Sequence, residues 1–394
     1  MHLTSEREAL EALKKADVDP YGIQAMLPKM FHLNILLEGL ECRVANIIKQ
    51  EMLSLGGDAA VARGTVACSV AQSDVILIGT LKQMRRFAEK ISAQPFGLSM
   101  ISERLREILT NVFTETFMLR TSRREMILGE RTLIMGIINV TPDSFSDGGR
   151  FASPEEAVEE GIRMAEEGAD ILDIGGESTR PGSDSVSPEE EMRRVVPVIR
   201  GLASRICLPL SVDTMKASVA KGALSEGAEI VNDVSAMGFD DDMAKVVADS
   251  GAAVVLMHMR GVPKSMQAGD LSYRSLRGEI IAYLKERIKR GGDVGIDPTR
   301  IIVDPGIGFG KTTEDNMRLI KYLGEFRILG RPILVGASRK AFIGRVTGSE
   351  PAERDEGTAA AVTAAILNGG QIIRVHDVAK MKKVATMADA LLRA

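Results

Sequence analysis

Tryptophan is missing from the 394-residue sequence, and aromatic residues reach only 4% while glycine numbers 38. That balance disfavours an aromatic-rich β-sandwich and favours α/β architecture with many tight turns. Cysteine is scarce too. Cys42, Cys68 and Cys207 are odd in number, widely spaced and form no CxxC pair, which argues against a disulfide framework and against a zinc ribbon. Cys42 and Cys68 are expected to be small buried apolar groups. No apolar run approaches the ~18 residues of a membrane-spanning helix. The first twenty residues, MHLTSEREALEALKKADVDP, are charged and lack the apolar centre of a secretory signal. The expectation is a reduced, cytoplasmic protein. Charge of neither sign dominates: 50 Lys and Arg stand against 54 Asp and Glu, a net −4 with no basic tract. A general nucleic-acid or anionic-membrane binder is therefore disfavoured.

With 45% hydrophobic and 26% charged residues, the composition is that of a globular protein. A chain this long buries enough surface to fold without a disulfide or metal, and at ~150 residues per domain it suggests two or three domains. From Arg131 onward one pattern repeats: a short apolar run, a Gly-rich or polar turn, then a helix-period segment. The runs are LIMGIINV (133–140), DILDIGG (170–176), LPLSVD (208–213), AEIVNDV (228–234), AAVVLMHM (252–259), RIIVDPG (300–306), RPILVGAS (331–338) and QIIRVHDV (371–378). Eight runs in the 264 residues of 131–394 make 33 per unit, the length of a βα repeat. The runs are near-continuously apolar, as parallel strands buried on both faces require.

The helical segments are well punctuated. Ser153-Pro154-Glu155-Glu156 and Ser187-Pro188-Glu189-Glu190 each read as an N-cap serine, a first-turn proline and a capping-box glutamate. Gly168, Gly227, Gly251 and Gly291 fall where a left-handed residue closes a helix. Eight such units predict an α/β fold, a (β/α)8 TIM barrel, with an open doubly wound sheet as the alternative. Residues 1–125 break the rhythm. A helix (4–16), a strand (31–37), a helix (41–55), strand-like runs (59–69 and 74–79) and a helix (81–92) suit a small split α/β layer. A last helix (99–117) leads to a charged hinge, TSRREM, at 121–126. The expected division is a small α/β extension over 1–125 and the barrel over 126–394.

In such a barrel the active site forms at the carboxyl ends of the strands. Reading the end of each run gives Asn139, Asp173, Asp213, Asn232, His258, Asp304, Ser338 with Lys340, and Arg374 with His376. A single Asp or Asn there is more often a turn former or helix cap. Eight in series point instead to a polar pocket, because convergent buried polar groups are costly unless a ligand or water satisfies them. The carboxylates, amides and lysine suit a flat heterocycle carrying donors and acceptors. Arg180, Arg374, Lys340 and His376 suit an anion such as phosphate. His258 reads equally well as a satisfied core histidine. The long connections 141–152 and 175–186 are candidate lids or binding loops. GIGFGKT at 306–312 imitates a phosphate loop, but its spacing is one residue short and Pro305 occupies the position of the first glycine, so a nucleotide-triphosphatase is rejected. No HExxH, EF-hand or GxSxG motif occurs. The metal this inventory suits is Mg2+ held mainly by substrate phosphates, with one oxygen ligand from the protein.

The motifs INVTPDSFSDGG (138–149), DIGGESTRPG (173–182), SVDT (211–214), IVNDVS (230–235), LMHMRG (256–261), VDPGIGFGK (303–311), VGASRK (335–340) and RVHDV (374–378) together resemble the dihydropteroate synthase family of pterin-binding enzymes. The match runs in order over 131–394. The resemblance implies a transferase of folate biosynthesis that joins p-aminobenzoate to 7,8-dihydropterin-6-ylmethyl diphosphate and releases pyrophosphate. It also implies a homodimer, with Mg2+ on Asn139. By the same resemblance the pterin pocket falls on Asp213, Asn232, Asp304 and Lys340, with Asp173 and Met257 lining it. Diphosphate binding falls on Asn139, Arg374, His376, Thr179 and Arg180. The aminobenzoate pocket falls on Thr179, Pro181, Phe309, Ser338 and Lys340, and Asp143 and Phe145 fall in the first lid loop. Asp213, Lys340, Arg374 and His376 are the expected catalytic group. Residues 1–125 have no counterpart in the short form of the family. Two other readings stay open: a pterin-dependent methyltransferase, which shares the barrel, and a catalytically silent scaffold working through residues 1–125.

Overall fold

Eight apolar runs become eight strands that lie side by side in a ring. In the computed structural model, which describes residues 5–140, 153–178, 183–262, 264, 266, 267 and 269–394, the chain begins with α1 (Glu6–Lys15), α2 (Pro20–Met26), β1 (His32–Glu41), α3 (Cys42–Ser54), β2 (Asp58–Val61), β3 (Gln72–Thr80), α4 (Leu81–Ile91) and α5 (Leu98–Val112). A hairpin of β4 (Phe117–Arg120) and β5 (Glu125–Leu128) follows. The βα units are then β6 (Leu133–Asn139), α6 (Pro154–Glu166), β7 (Ile171–Gly175), α7 (Pro188–Ala203), β8 (Leu210–Asp213), α8 (Ala217–Ser225), β9 (Ile230–Asp233) and α9 (Met243–Ser250). They continue with β10 (Ala253–Met257), α10 (Leu276–Asp293), β11 (Ile301–Asp304), α11 (Thr313–Lys321), β12 (Leu334–Val335), α12 (Ala341–Thr347), α13 (Asp355–Leu367), β13 (Ile372–Val375) and α14 (Val378–Arg393).

The strand order is β11-β10-β9-β8-β7-β6-β13-β12, and the paired strands are parallel. A single bridge between Val303 and Ile333 closes the ring, and the Val303 N–H donates to the Pro332 carbonyl at 3.0 Å. This is the expected TIM barrel. The two-sided burial of the runs has a direct cause. Leu133, Met135, Ile171, Ile230, Val255, Ile302, Leu334 and Ile372 cluster together, while their neighbours Ile134, Leu172, Val231, Val254, Val303 and Ile373 join the larger cluster that includes the helices. Alternate residues of one strand thus serve two cores, and both must be apolar.

The caps form largely as read. The Ser153 and Ser187 hydroxyls accept from the Glu156 and Glu190 N–H groups at 3.4 and 3.2 Å. Gly168, Gly227 and Gly251 take positive φ after their helices. Gly291 does not: it is buried within α10, and the left-handed turn is made at Gly295 with φ +92°. The periodicity carries one more turn than the first available glycine suggests.

Two compact units divide between Asn111 and Val112, ahead of the expected 125/126. The expected helix 99–117 ends at Val112, and the charged stretch at 121–126 is the turn and first strand positions of the β4–β5 hairpin, not a hinge. The Glu229 carboxylate, 1% exposed, holds that turn by accepting from Thr121 Oγ1 at 2.7 Å and from Arg124 Nε and Nη2 at 2.9 and 2.6 Å. Leu119 and Leu128 meanwhile join the inner barrel cluster. The charges that looked like a solvated linker exist to satisfy a buried carboxylate.

The N-terminal unit carries a three-stranded antiparallel sheet in the order β1-β3-β2. Val75 and Leu77 of β3 are buried, as are Val44, Ala45, Ile48 and Met52 of α3 and Leu81, Met84, Phe87 and Ile91 of α4. The expected β-α-β-β-α order is present. The strand expected over 59–69 stops at Val61, because a 3-10 turn at Arg63–Thr65 follows and Asn46 Nδ2 takes the Thr65 carbonyl at 2.8 Å. Cys42 is buried but Cys68 is exposed, so only the first behaves as the small apolar group expected. Among the described residues no helix is long and apolar enough to cross a membrane.

Candidate active site

Arg374, in the middle of β13, reaches across the carboxyl end of the barrel to two carboxylates. Its Nε donates to Asp173 Oδ2 at 2.6 Å and its Nη2 to Asp213 Oδ2 at 2.6 Å. Asn232 Nδ2 donates to the same Asp173 oxygen at 2.9 Å. The barrel therefore brings together side chains 201 residues apart. Asp173 and Asp213 each keep a second oxygen, Oδ1, buried and, among the described residues, without a hydrogen-bond partner. An unsatisfied buried acceptor costs roughly 1–3 kcal/mol, and two at the mouth of one barrel mark a place where a ligand's N–H donors are expected. Burial pushes the Asp213 carboxyl up to about 7, against the pull of Arg374 and with further push from the Asp173 and Glu191 charges.

The end of β11 and its following loop form the next wall. Asp304 Oδ1 accepts from the Gly306 N–H at 2.7 Å. Burial raises this carboxyl to about 6, while that N–H, Lys340, Lys311 and Arg374 hold it down. Gly306 has φ +72°, and a Cβ there would stand 1.9 Å from the His258 carbonyl oxygen; only glycine fits. The Lys340 ammonium sits 4.2 Å from the centre of the Phe309 ring, within cation–π range. Phe309 and Met257 belong to one buried apolar cluster with Met215, Val234 and Met266, a surface suited to a flat ring.

Ser338 and His376 meet on the β12–β13 side. The His376 backbone N–H donates to Ser338 Oγ at 3.3 Å, and that hydroxyl lies 3.0 Å from His376 Nδ1. The hydroxyl and the imidazole are thus within hydrogen-bond distance of each other, and the tautomer of His376 sets which of them donates. Between Ser338 and Lys340 stands Arg339 with φ +55°. This left-handed conformation is uncommon for a non-glycine residue. It is held from three sides: the Arg339 N–H donates to Thr358 Oγ1 at 3.1 Å, its Nε to Asp355 at 3.0 Å, and its carbonyl accepts from Arg354 at 3.1 Å.

Asn139 ends β6. A Cβ placed on Gly175 would lie 3.7 Å from both Asn139 Oδ1 and Asp213 Oδ2, so the amide and the carboxylate flank one glycine. Among the described residues no group of three or more His, Cys, Asp or Glu side chains is placed to hold a metal. Asn139 supplies a hard amide oxygen of the kind Mg2+ takes, and one such ligand fits an ion coordinated mostly by substrate phosphates.

The structure thus brings together Asp173, Asp213, Asn232, Asp304, Phe309, Ser338, Lys340, Arg374 and His376, with Met257 in the apolar wall and Asn139 beside Gly175. Asp143, Phe145, Thr179, Arg180 and Pro181 lie outside the described residues. Reading the sequence alone overlooked two sets of side chains. One is Lys216, paired with Glu177 and, at 2.5 Å, with Glu191, next to the SVDT run. The other is Lys311 paired with His258; the signal for it was a lysine directly after the GIGFG run, which was read only as a failed phosphate loop.

Residues 135–376 match the pterin-binding enzyme family. The chain is 41% identical over 384 residues to a probable bifunctional folylpolyglutamate synthase/dihydropteroate synthase of Halobacterium salinarum, covering 97% of this chain and 46% of that one. The chain spans less than half the length of that relative. It is 46% identical over 266 residues to a dihydropteroate synthase of Synechocystis, covering 67% of this chain and 92% of that one. Among solved structures, the dihydropteroate synthase of Xanthomonas albilineans with 4-aminobenzoic acid is 46% identical with a TM-score of 0.66, covering 71% of this chain and 99% of that one.

Proposed function

The chain belongs to the pterin-binding enzymes, among the dihydropteroate synthases, and from that premise we propose that it condenses 7,8-dihydropterin-6-ylmethyl diphosphate with p-aminobenzoate to give 7,8-dihydropteroate and pyrophosphate. The observation that carries the reading is the pair of unsatisfied buried oxygens, Asp173 Oδ1 and Asp213 Oδ1, on carboxylates bridged by one arginine. A pterin is a flat ring with N–H donors along its edges. The site offers buried acceptors for such donors and a cluster of methionine and phenylalanine side chains for the ring.

In this mechanism Asp304 and Asn232 hold the amino-pyrimidinone edge, with Asp173 and Met257 completing the pocket. Loss of diphosphate from the methylene leaves positive charge spread into the pterin, and the Asp213 carboxylate stabilises it through fixed electrostatics. Arg374 and His376 receive the leaving anion, with Thr179 and Arg180 from the second loop. The arylamine is neutral and nucleophilic, so no strong base is needed. Thr179, Pro181, Phe309, Ser338 and Lys340 orient it against the methylene, and Asp143 and Phe145 belong to the lid that excludes water. Asn139 would hold Mg2+, which supplies positive charge to the diphosphate. The carbon–oxygen bond breaks before the carbon–nitrogen bond forms, and the amine proton leaves with the departing diphosphate or to water.

The resemblance further supports a cytoplasmic homodimer, for which sedimentation velocity is the test, and residues 1–111 as an extension that stabilises or regulates it. The SRK, RVHDV and STRPG motifs, with the cationic Lys340 and Arg374 and with His376, favour this reaction over pterin-dependent methyl transfer, which has no use for a diphosphate site. Purified protein given both substrates and Mg2+ is expected to release pyrophosphate in step with dihydropteroate. Absence of both products overturns the proposal.

A further inference from the structure

Lys311 is the lysine of the false phosphate loop, and its ammonium turns inward to His258 and Phe309. Its side chain is 1% exposed, and among the described residues it forms no ion pair. An ammonium group has three protons, and here three acceptors meet them: the Phe309 carbonyl at 2.9 Å, His258 Nδ1 at 3.0 Å and the His258 carbonyl at 3.3 Å. Accepting at Nδ1 places the ring proton of His258 on Nε2. Burial, and then the Lys311 charge beside it, push the imidazole down to about 3, so His258 is a neutral acceptor at every physiological pH. Its ring stands edge-on to Tyr283, with centroids 5.0 Å apart. The alternative left open for His258 is settled toward a satisfied buried histidine, but one that holds a charge.

The loop after β11 is tied from outside at successive residues. Gly306 N–H is held by Asp304 Oδ1, the Gly308 N–H and carbonyl by Asn316 and Gln267 at 2.7 and 2.9 Å, and the Gly310 carbonyl by the Tyr273 hydroxyl at 2.9 Å. Among the described residues the Phe309 carbonyl is held by no side chain but Lys311, and its ring carries Lys340. The charged groups facing Asp304 are Lys340, Lys311 and Arg374; those facing Lys311 are Asp304, Asp315 and Lys340. Of the three cations around Asp304, Lys311 is the most deeply buried; burial lowers it to about 7, so it is charged over the acid range in which Asp304 takes up its proton.

Resting on the reading of the site as a dihydropteroate synthase, we propose that Lys311 is a positioning residue of the pterin pocket. It fixes the Phe309 and His258 carbonyls and lends a buried positive charge to Asp304, so that this loop and carboxylate meet the pterin preformed. Lys311 touches no substrate. It acts through Asp304 and Phe309, in a low-dielectric position where a charge acts at longer reach than in water.

The test uses the full chain and two readouts. Binding of 6-hydroxymethylpterin, a pterin with no diphosphate, is followed by its fluorescence from pH 5 to 9 without Mg2+. Steady-state kinetics follow pyrophosphate release. Lys311→Met keeps length and apolar bulk while removing the charge and all three donors. It is expected to weaken the pterin alcohol about tenfold and to raise the KM for the pterin diphosphate similarly, with kcat changed less than about threefold. The acid limb of pterin binding should move up by about one pH unit, because Asp304 loses a cation that favours its ionised form. A purely structural lysine would change the thermal midpoint and the active fraction but leave KM and the acid limb in place. A folded variant with wild-type affinity and wild-type limb overturns the proposal. Lys311→Gln, which restores donors without charge, should recover part of the affinity but keep the shifted limb. Should neither variant fold, the wild type decides: burial lowers Lys311 to about 7, so affinity for the pterin alcohol should fall as pH rises through that range and Lys311 loses its charge, and an affinity that stays flat from pH 6 to 9 overturns the proposal. Wild-type protein that binds the pterin alcohol but releases no pyrophosphate would refute the assigned reaction and leave the Lys311 test standing.

Discussion

Arg374 donates to one oxygen of Asp213 at 2.6 Å and leaves the other, Asp213 Oδ1, buried without a partner among the described residues. The carboxylate is therefore anchored on one side and exposed to whatever charge develops on the other. Asp213→Asn keeps the shape and the contact with Arg374 as acceptor but removes the charge. Turnover is expected to fall about a hundredfold or more, as for loss of a preorganised electrostatic group, while affinity for the pterin alcohol changes less than about threefold. Single-turnover kinetics beside equilibrium binding measures both; equal losses would refute the electrostatic role.

Asp304 makes the opposite trade. Its carboxyl is raised from 3.8 to about 6 by burial, so the folded state holds the proton more tightly than the unfolded chain does. Stability from this group is complete below pH 3.8 and is lost as pH rises to about 6, a cost of roughly 3 kcal/mol above that at about 1.4 kcal/mol per unit. Asp304→Asn should therefore raise the denaturation midpoint at pH 8 and leave it unchanged near pH 4, while pterin binding is lost. A midpoint lowered at pH 8 would contradict this assignment.

Much of the barrel was legible because it depends on local pattern. The runs around Ile134, Leu172 and Val254 are apolar on successive residues since each strand faces two cores, and Asp213, Asn232 and Asp304 stand out as polar breaks at their ends. What could not be read depends on distant partners. The β4–β5 hairpin looked like a charged linker because Thr121 and Arg124 answer to Glu229, more than 100 residues away. Lys311 looked like a failed phosphate ligand because two of its three acceptors are carbonyls, which carry no sequence signal, and the third, His258 Nδ1, lies 53 residues away. The left-handed Arg339 is invisible for the same reason: Thr358, Asp355 and Arg354 impose it.

The hairpin makes the domain boundary testable. A chain beginning at Val112 keeps Leu119, Thr121 and Arg124, and is expected to fold and release pyrophosphate. The Synechocystis relative supports this, since its match covers only 67% of this chain. A chain beginning at Met126 strands Glu229, 1% exposed, without its cation. An uncompensated buried charge costs about 3–5 kcal/mol, so this shorter chain should melt well below the longer one or fail to fold. Equal melting of the two would show that the hairpin is dispensable.

Gly306 offers a comparison within one protein. Gly306 and Gly348 both have positive φ, +72° and +74°, but a Cβ on Gly306 would meet the His258 carbonyl at 1.9 Å while one on Gly348 meets nothing within 4 Å. Gly348→Ala should therefore cost only the conformational term, about 1 kcal/mol. Gly306→Ala adds a backbone clash that must push the β11 loop away from His258, dislodging the acceptors of Lys311 and the N–H that holds Asp304. Its cost should exceed that of Gly348→Ala by about 2 kcal/mol or more, and it alone should weaken pterin binding. Urea denaturation of the two variants and titration with the pterin alcohol decide the point: equal destabilisation, or unaltered binding in Gly306→Ala, would mean that the loop has room to shift without disturbing the pocket.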